Sequence, residues 1–140
     1  MSGRNPLKPL DGFDFEKEDV CEVIFSHKKT VKACRLFMEW LKTVGGECTR
    51  SELSQFARDL ANGHVQDGFT YKRSNFYRTI LRRFVALGFI SLQPRWEEGR
   101  YVHKYARIYQ GVPKRAPLGG RSFWRLAWEV AKKWNEECER

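Results

Sequence analysis

Apolar side chains recur every three or four residues along much of this chain, a spacing that places them on one face of a helix. The pattern predicts helices over 28–43 and 72–87, another that begins at a Thr49 or Ser51 cap, and a last one over 122–137. The predicted buried stripes of the first, second and last helices are Val31, Cys34, Met38 and Leu41; Leu53, Phe56, Ala57 and Leu60; and Phe123, Ala127, Val130 and Trp134. Glycines follow the first three helices, where residues that tolerate positive φ commonly end a helix.

The helix predicted over 72–87 has two contrasting faces. Its apolar residues, which we expect to point inward, are Phe76, Tyr77, Ile80, Leu81, Phe84 and Leu87. The opposite side carries Asn75, Arg78, Thr79 and Arg82. This division predicts a helix that lies on a core and presents cations to the solvent.

Beyond Gly88 the apolar positions alternate, as they do along a strand with one buried face. Ser91 to Trp96 and Tyr101 to Tyr109 are the predicted strands, and Glu97-Glu98-Gly99-Arg100 is the turn between them. Pro94 lacks an N–H donor, so its strand is predicted at a sheet edge. Glu47-Cys48 is a candidate short strand, and Val20 to Phe25 fits either a strand or a helical turn.

At 140 residues, 41% of them hydrophobic, the chain is long enough for one core and short for two. We expect residues 1–19 to form an extended or disordered acidic arm and 20–110 to form the main domain. Residues 111–140 then form a basic loop and a C-terminal helix, which packs on the core or forms a dimer.

Positive charge is concentrated in one part of the chain. The formal net charge is +9, and residues 68–109 hold nine Lys or Arg against two Glu, a net of +7. An excess of this kind favours phosphate-bearing partners. Nucleic acid is therefore the first class of partner to consider.

The segment Arg82-Arg83-Phe84-Val85-Ala86-Leu87-Gly88-Phe89-Ile90 resembles the end of a recognition helix and the entry to a wing in the winged helix-turn-helix superfamily. Tyr105 to Tyr109 resembles the closing wing strand. The resemblance covers about residues 28–109 and implies an α+β, mainly α fold, a winged helix-turn-helix with an extra C-terminal helix and an N-terminal acidic arm. The connection over 62–70 departs from it, being longer than the tight turn of a minimal helix-turn-helix.

The resemblance implies double-stranded DNA binding, sequence-specific or architectural, in transcription regulation or chromosome organisation. Helix 72–87 would enter the major groove, and hairpin 91–109 would lie on the backbone. The candidate DNA contacts are Lys72, Arg73, Asn75, Arg78, Thr79, Arg82, Arg95, Arg100, His103 and Lys104. Candidates for additional phosphate contacts are Lys28, Lys29, Lys32, Lys114, Arg115 and Arg121.

Two other partners stay open. The domain is alternatively a protein-docking module of a transcription, replication or RNA-processing assembly. Trp124, Trp128 and Trp134 would then form a partner or homodimer interface, although such stripes are usually core. Alternatively it binds RNA, with Tyr101, Tyr105 and Tyr109 stacking on unpaired bases.

Other classes lack their expected residues. The chain has no Gly-rich phosphate loop, nucleophile elbow or metal-ligand set, so we expect neither an enzyme nor a cofactor or metal. The four cysteines have no paired spacing and are expected as free thiols. Without a signal peptide or an apolar run of spanning length, we expect a cytoplasmic protein with no membrane partner, associated with the nucleoid if prokaryotic.

Overall fold

A computed structural model of the protein describes residues 19–116 and 123–139, except for the side chain of Phe123. The predictions for the arm over 1–18 and for Arg121 lie outside the described residues. The chain divides into two compact units, one of residues 32–108 and one of residues 1–31 with 109–140.

The fold is α+β and mainly helical, with a small antiparallel sheet, as the sequence predicts. In chain order the elements are α1 Val20–Ile24, α2 Lys28–Thr43, β1 Glu47–Thr49, α3 Arg50–Ala61, α4 in the consecutive segments Arg73–Asn75, Phe76–Leu81 and Arg82–Ala86, β2 Ile90–Glu97, β3 Arg100–Arg107 and α5 Phe123–Glu139. Helix α2 has the predicted bounds, and α5 ends two residues later than predicted. Val20–Ile24 is helical rather than extended, because Asp19 and Glu22 form a capping box at its start.

The three strands lie in the order β1-β3-β2, with both neighbouring pairs antiparallel. Pro94 is in the edge strand β2, as predicted. The pair Glu97↔Arg100 closes the hairpin, and the turn between them has φ of 51° at Glu98 and 80° at Gly99. Positive φ at both central residues matches the twist of the flanking strands, so the hairpin reverses in two residues.

An aromatic cluster forms the centre of the unit 32–108. Phe37 lies 5.1 Å from Phe76, 5.8 Å from Phe56 and 6.2 Å from Phe84, measured between ring centroids. These four rings are at most 3% exposed. They come from α2, α3 and α4, so ring packing fixes the position of α4 on the other two helices.

The start of α3 is also fixed by its own sequence. The Thr49 hydroxyl accepts a hydrogen bond from the Glu52 N–H at 3.1 Å, and the Glu52 carboxylate accepts one from the Thr49 N–H at 2.8 Å. This reciprocal capping box confirms the predicted Thr49 cap. The predicted stripe of α3 is buried throughout.

Helix α4 contains a π-helical turn that the sequence pattern does not predict. Over Phe76–Leu81 the backbone hydrogen bonds span five residues instead of the four of an α-helix. The N–H of Arg82, for example, donates to the C=O of Tyr77. The wide turn carries both Ile80 and Leu81 into the core. Two predicted inward residues differ: Tyr77 is half-buried and Leu87 is 39% exposed, because α4 ends at Ala86, before Leu87.

In the unit of residues 1–31 and 109–140, α1 packs on α5. The amide of buried Asn135 donates to the C=O of Gln110 at 2.9 Å and accepts from its N–H at 2.7 Å. The indole N–H of Trp128 donates to the C=O of Pro113 at 2.7 Å. These bonds hold the segment after β3 on α5. Ala127 is exposed, contrary to the predicted stripe, because the buried face of α5 runs through Leu126, Val130 and Trp134.

Candidate nucleic-acid interface

The outward face of α4 carries cations that have no acidic partner among the described residues. Arg78, Arg82 and Asn75 are exposed, and Thr79 is half-buried. Within the described part of the chain, neither arginine forms an ion pair. The opposite side of the same helix is fully buried at Phe76, Ile80 and Phe84, so the helix cannot turn these arginines inward without breaking the core. Guanidinium groups in this state are available to a phosphate or a base edge.

The beginning of α4 adds two more of the predicted contacts. Lys72 and Arg73 are exposed where the chain enters the helix. The Arg73 guanidinium lies 6.0 Å from the ring centroid of Tyr77 and donates to the Ser54 hydroxyl at 3.5 Å. These contacts hold Arg73 between α3 and α4. The structure therefore places Arg73, Asn75, Arg78 and Arg82 on α4, and Lys72 directly before its start.

The predicted hairpin contacts divide into two kinds. The Nε of Arg95 lies 3.1 Å from the Glu47 carboxylate, and the Nζ of Lys104 lies 2.6 Å from that of Glu97. The hydrogen bond from Lys104 to Glu97 raises the pKa of Lys104. Arg100 and His103 are exposed and, among the described residues, have no acidic partner. A phosphate would compete with a carboxylate for Arg95 and Lys104, but not for Arg100 and His103.

Glu47 and Glu52 also affect a thiol in β1, the strand beside the hairpin. Cys48 in β1 pairs with Tyr105 in β3 and is fully buried. Burial, followed by the charges of Glu52 and Glu47, raises the pKa of Cys48 to about 12. The thiol stays protonated near neutral pH, which makes it an inert packing group.

The additional phosphate candidates are spread over the two units. Lys28, Lys29, Lys114 and Arg115 are exposed in the unit of residues 1–31 and 109–140. Lys32 belongs to the other unit, where its Nζ lies 4.9 Å from the ring centroid of Phe69. That contact gives Lys32 a packing role in addition to its charge.

A groove between α2 and α3 has the opposite electrostatic character. It has a volume of about 450 Å³, and Trp40 and Phe56 stack beside it at 4.7 Å between centroids. Its rim carries Glu52 and Asp59, and neither is paired with a Lys or Arg of the described residues. Carboxylates repel phosphate, so this side of the unit is unsuited to a nucleic-acid backbone.

The tryptophans proposed as a partner or dimer interface differ in exposure. Trp134 is fully buried and Trp128 is 9% exposed, so these two pack within the protein. Trp124 is 71% exposed, so of these three tryptophans it is the one that a partner can contact. Of the tyrosines considered for base stacking, Tyr101 and Tyr109 are exposed and Tyr105 is half-buried.

Trp96 is a candidate that the sequence reasoning missed. It is 63% exposed and lies directly across the hairpin from Tyr101. The signal was present in the sequence, because residues that flank a four-residue turn symmetrically become cross-strand neighbours. Trp96 and Tyr101 flank Glu97 to Arg100 in this way.

Comparisons with models of known families, with curated proteins and with solved structures found no match. Among the described residues, no helix is long and apolar enough to cross a membrane. In the same part of the chain, no group of three or more His, Cys, Asp or Glu side chains could hold a metal ion.

Proposed function

We propose that residues 28–107 form a winged helix that binds double-stranded DNA through the outward face of α4. The protein would act in transcription regulation or chromosome organisation. The observation that carries the proposal is the pair Arg78 and Arg82, exposed and without an ion pair in the described residues, on a helix whose other face is core.

The arrangement of elements supports this assignment. Within residues 28–107, the helices α2, α3 and α4 precede the hairpin, and the short strand β1 between α2 and α3 joins the same sheet, which is compatible with a winged helix. A helix with one buried and one cationic face suits the major groove, where arginine binds guanine O6 and N7 and asparagine binds adenine N6 and N7. The π turn adds weaker support, because such turns occur frequently at functional sites.

The test is a titration of the full chain against duplex DNA, single-stranded DNA and duplex RNA at several salt concentrations. We expect duplex DNA to bind most tightly, with a steep fall in affinity as salt rises. The double variant Arg78→Gln with Arg82→Gln should lower duplex affinity by about tenfold or more. The slope of log affinity against log salt concentration should be smaller by about 2 for this variant, because it lacks two charged contacts to the DNA.

The matched control is Lys42→Gln with Lys133→Gln, which removes two positive charges from positions outside every candidate set. It tests whether net charge alone explains the loss. If both double variants lose affinity equally, or if the wild-type chain binds no nucleic acid at low salt, the assignment of α4 as the interface is wrong.

A second function is favoured by one observation, the 71% exposure of Trp124. As a protein-docking module, the chain would use this ring as an anchor. The two hypotheses separate in one experiment, because Trp124→Ala should leave DNA affinity unchanged while abolishing a complex that depends on this ring. Loss of DNA binding in Trp124→Ala would contradict this separation of roles.

A further inference from the structure

The tip of the hairpin exposes two aromatic rings that face each other across the strands. Trp96 is 63% exposed and Tyr101 is 68% exposed. Their centroids are 4.9 Å apart and their planes meet at 76°. An edge-to-face pair of this kind covers little of its own flat surface, so the two rings form an open corner.

The charges around this corner nearly cancel. Glu97 is paired with Lys104 on the neighbouring strand. Glu98 and Arg100, on either side of Gly99, are both exposed and carry opposite charges. A sugar-phosphate backbone therefore gains less here than on the outward face of α4. The corner offers flat apolar surface rather than positive charge.

The corner is also held firmly. The β2–β3 register is continuous from Ile90↔Arg107 to Glu97↔Arg100, and a two-residue turn closes it. The ion pair of Lys104 with Glu97 joins the same two strands, and that of Arg95 with Glu47 joins β2 to β1. Rings that are already positioned lose little conformational freedom when a ligand stacks on them.

We propose that the corner formed by Trp96 and Tyr101 stacks on an unpaired DNA base beside the duplex that α4 holds. This inference rests on the proposed function. A base lying flat on one ring presents its edge to the other, which the near-perpendicular angle allows. Within a duplex both faces of a base are covered by neighbouring bases. The site should therefore favour the boundary between double and single strands.

The test compares a blunt DNA duplex with the same duplex carrying a single-stranded thymine extension, using the full chain. Wild type should bind the extended duplex about tenfold more tightly than the blunt one. Trp96→Ala should remove this preference and leave affinity for the blunt duplex unchanged. Trp96→Phe should retain most of the preference, because it keeps an aromatic face. The matched control is Trp124→Ala, another exposed tryptophan, which should keep the full preference.

The outcomes separate the two proposals. Equal affinity for the blunt and extended duplexes, or a preference that survives Trp96→Ala, overturns the stacking site while leaving the α4 interface standing. Preference for an RNA extension only, or a protein complex that Trp96→Ala disrupts with no effect of the DNA extension, also overturns it. Failure of wild type to bind any of these DNAs overturns the proposed function and the stacking site together.

Discussion

On α4, Arg78 and Arg82 extend from the helix without an ion pair in the described residues, whereas on the hairpin Arg95 and Lys104 are held by Glu47 and Glu97. The sequence places all four in one basic segment, and by charge alone they are equivalent. The difference arises from the sheet: the pairing of β2 with β3 brings Glu97 to Lys104, and the pairing of β1 with β3 brings Glu47 within reach of Arg95 on β2. A count of cations along a chain therefore overestimates the charge available to a partner.

The two regions also use aromatic residues differently. The rings of α4 face inward, where Phe76 contacts Phe37 and Phe56, so they support the cationic face from behind. Trp96 and Tyr101 on the hairpin tip face the solvent and contact each other. In the first region the aromatic residues stabilise the fold, and in the second they are surface.

The largest expected effect comes from truncating an aromatic residue in each region. Phe76→Ala removes a ring that is fully buried, and should lower the free energy of unfolding by about 3–5 kcal/mol. Trp96→Ala removes an exposed ring that contacts mainly Tyr101, and should change it by about 1 kcal/mol or less. Urea unfolding followed by circular dichroism measures both.

Duplex DNA affinity is a second measurement on the variants Phe76→Ala and Trp96→Ala. At temperatures where Phe76→Ala is partly unfolded, duplex affinity should fall with the folded fraction, because the outward face of α4 exists only on the packed helix. Equal unfolding free energies for the two variants would show that the aromatic cluster does not hold α4, and the contrast between the regions would fail.

The sequence predicted the helices well because each has local signals. Thr49 and Glu52 lie three residues apart, as a capping box requires, and the stripe of α2 has an uninterrupted helical spacing. The hairpin was also predictable, because Gly99 tolerates positive φ and Pro94 indicates an edge strand. These features depend on neighbours within a few residues.

Features that depend on distant residues were missed. The ion pair between Arg95 and Glu47 joins positions 48 residues apart, and no spacing rule connects them. The π turn in α4 was missed because the apolar pattern already places Ile80 and Leu81 on the inward face of an ordinary helix, so nothing in that pattern signals the wider turn. The candidate site on α4 was therefore predictable, while the neutralised charge of the hairpin was not.

A smaller effect tests the buried environment of the Cys48 thiol in β1, the strand beside the hairpin. Its pKa is raised from 9.0 to about 12 in the folded state, first by burial and then by Glu52 and Glu47. Between those pH values an unfolded chain loses the thiol proton while the folded protein keeps it. Stability should therefore fall as pH rises above about 9, with this thiol contributing up to about 1 kcal/mol per pH unit.

The measurement is the free energy of unfolding in urea across this alkaline range. Cys48→Ala should show a shallower decline of stability with pH than wild type, because it removes the buried thiol. If the stability of Cys48→Ala and that of wild type fall equally with rising pH, the surroundings of Cys48 do not favour the protonated thiol as the structure indicates.

The smallest expected effect bears most directly on the contrast between α4 and the hairpin. Arg95→Gln with Lys104→Gln removes the same formal charge as the double variant in α4, but from side chains that already have acidic partners. Its duplex affinity should stay within about threefold of wild type, since the released Glu47 and Glu97 carboxylates add only weak repulsion at high dielectric. Losing the half-buried ion pair of Arg95 with Glu47 should cost about 1 kcal/mol of stability or less. The double variant Glu47→Gln with Arg95→Gln removes both partners of this ion pair. Comparing it with Arg95→Gln alone separates the loss of the ion pair from the effect of the carboxylate left unpaired. If removing the hairpin cations weakens duplex binding as much as removing Arg78 and Arg82, then phosphate displaces the carboxylates, and both regions belong to one interface.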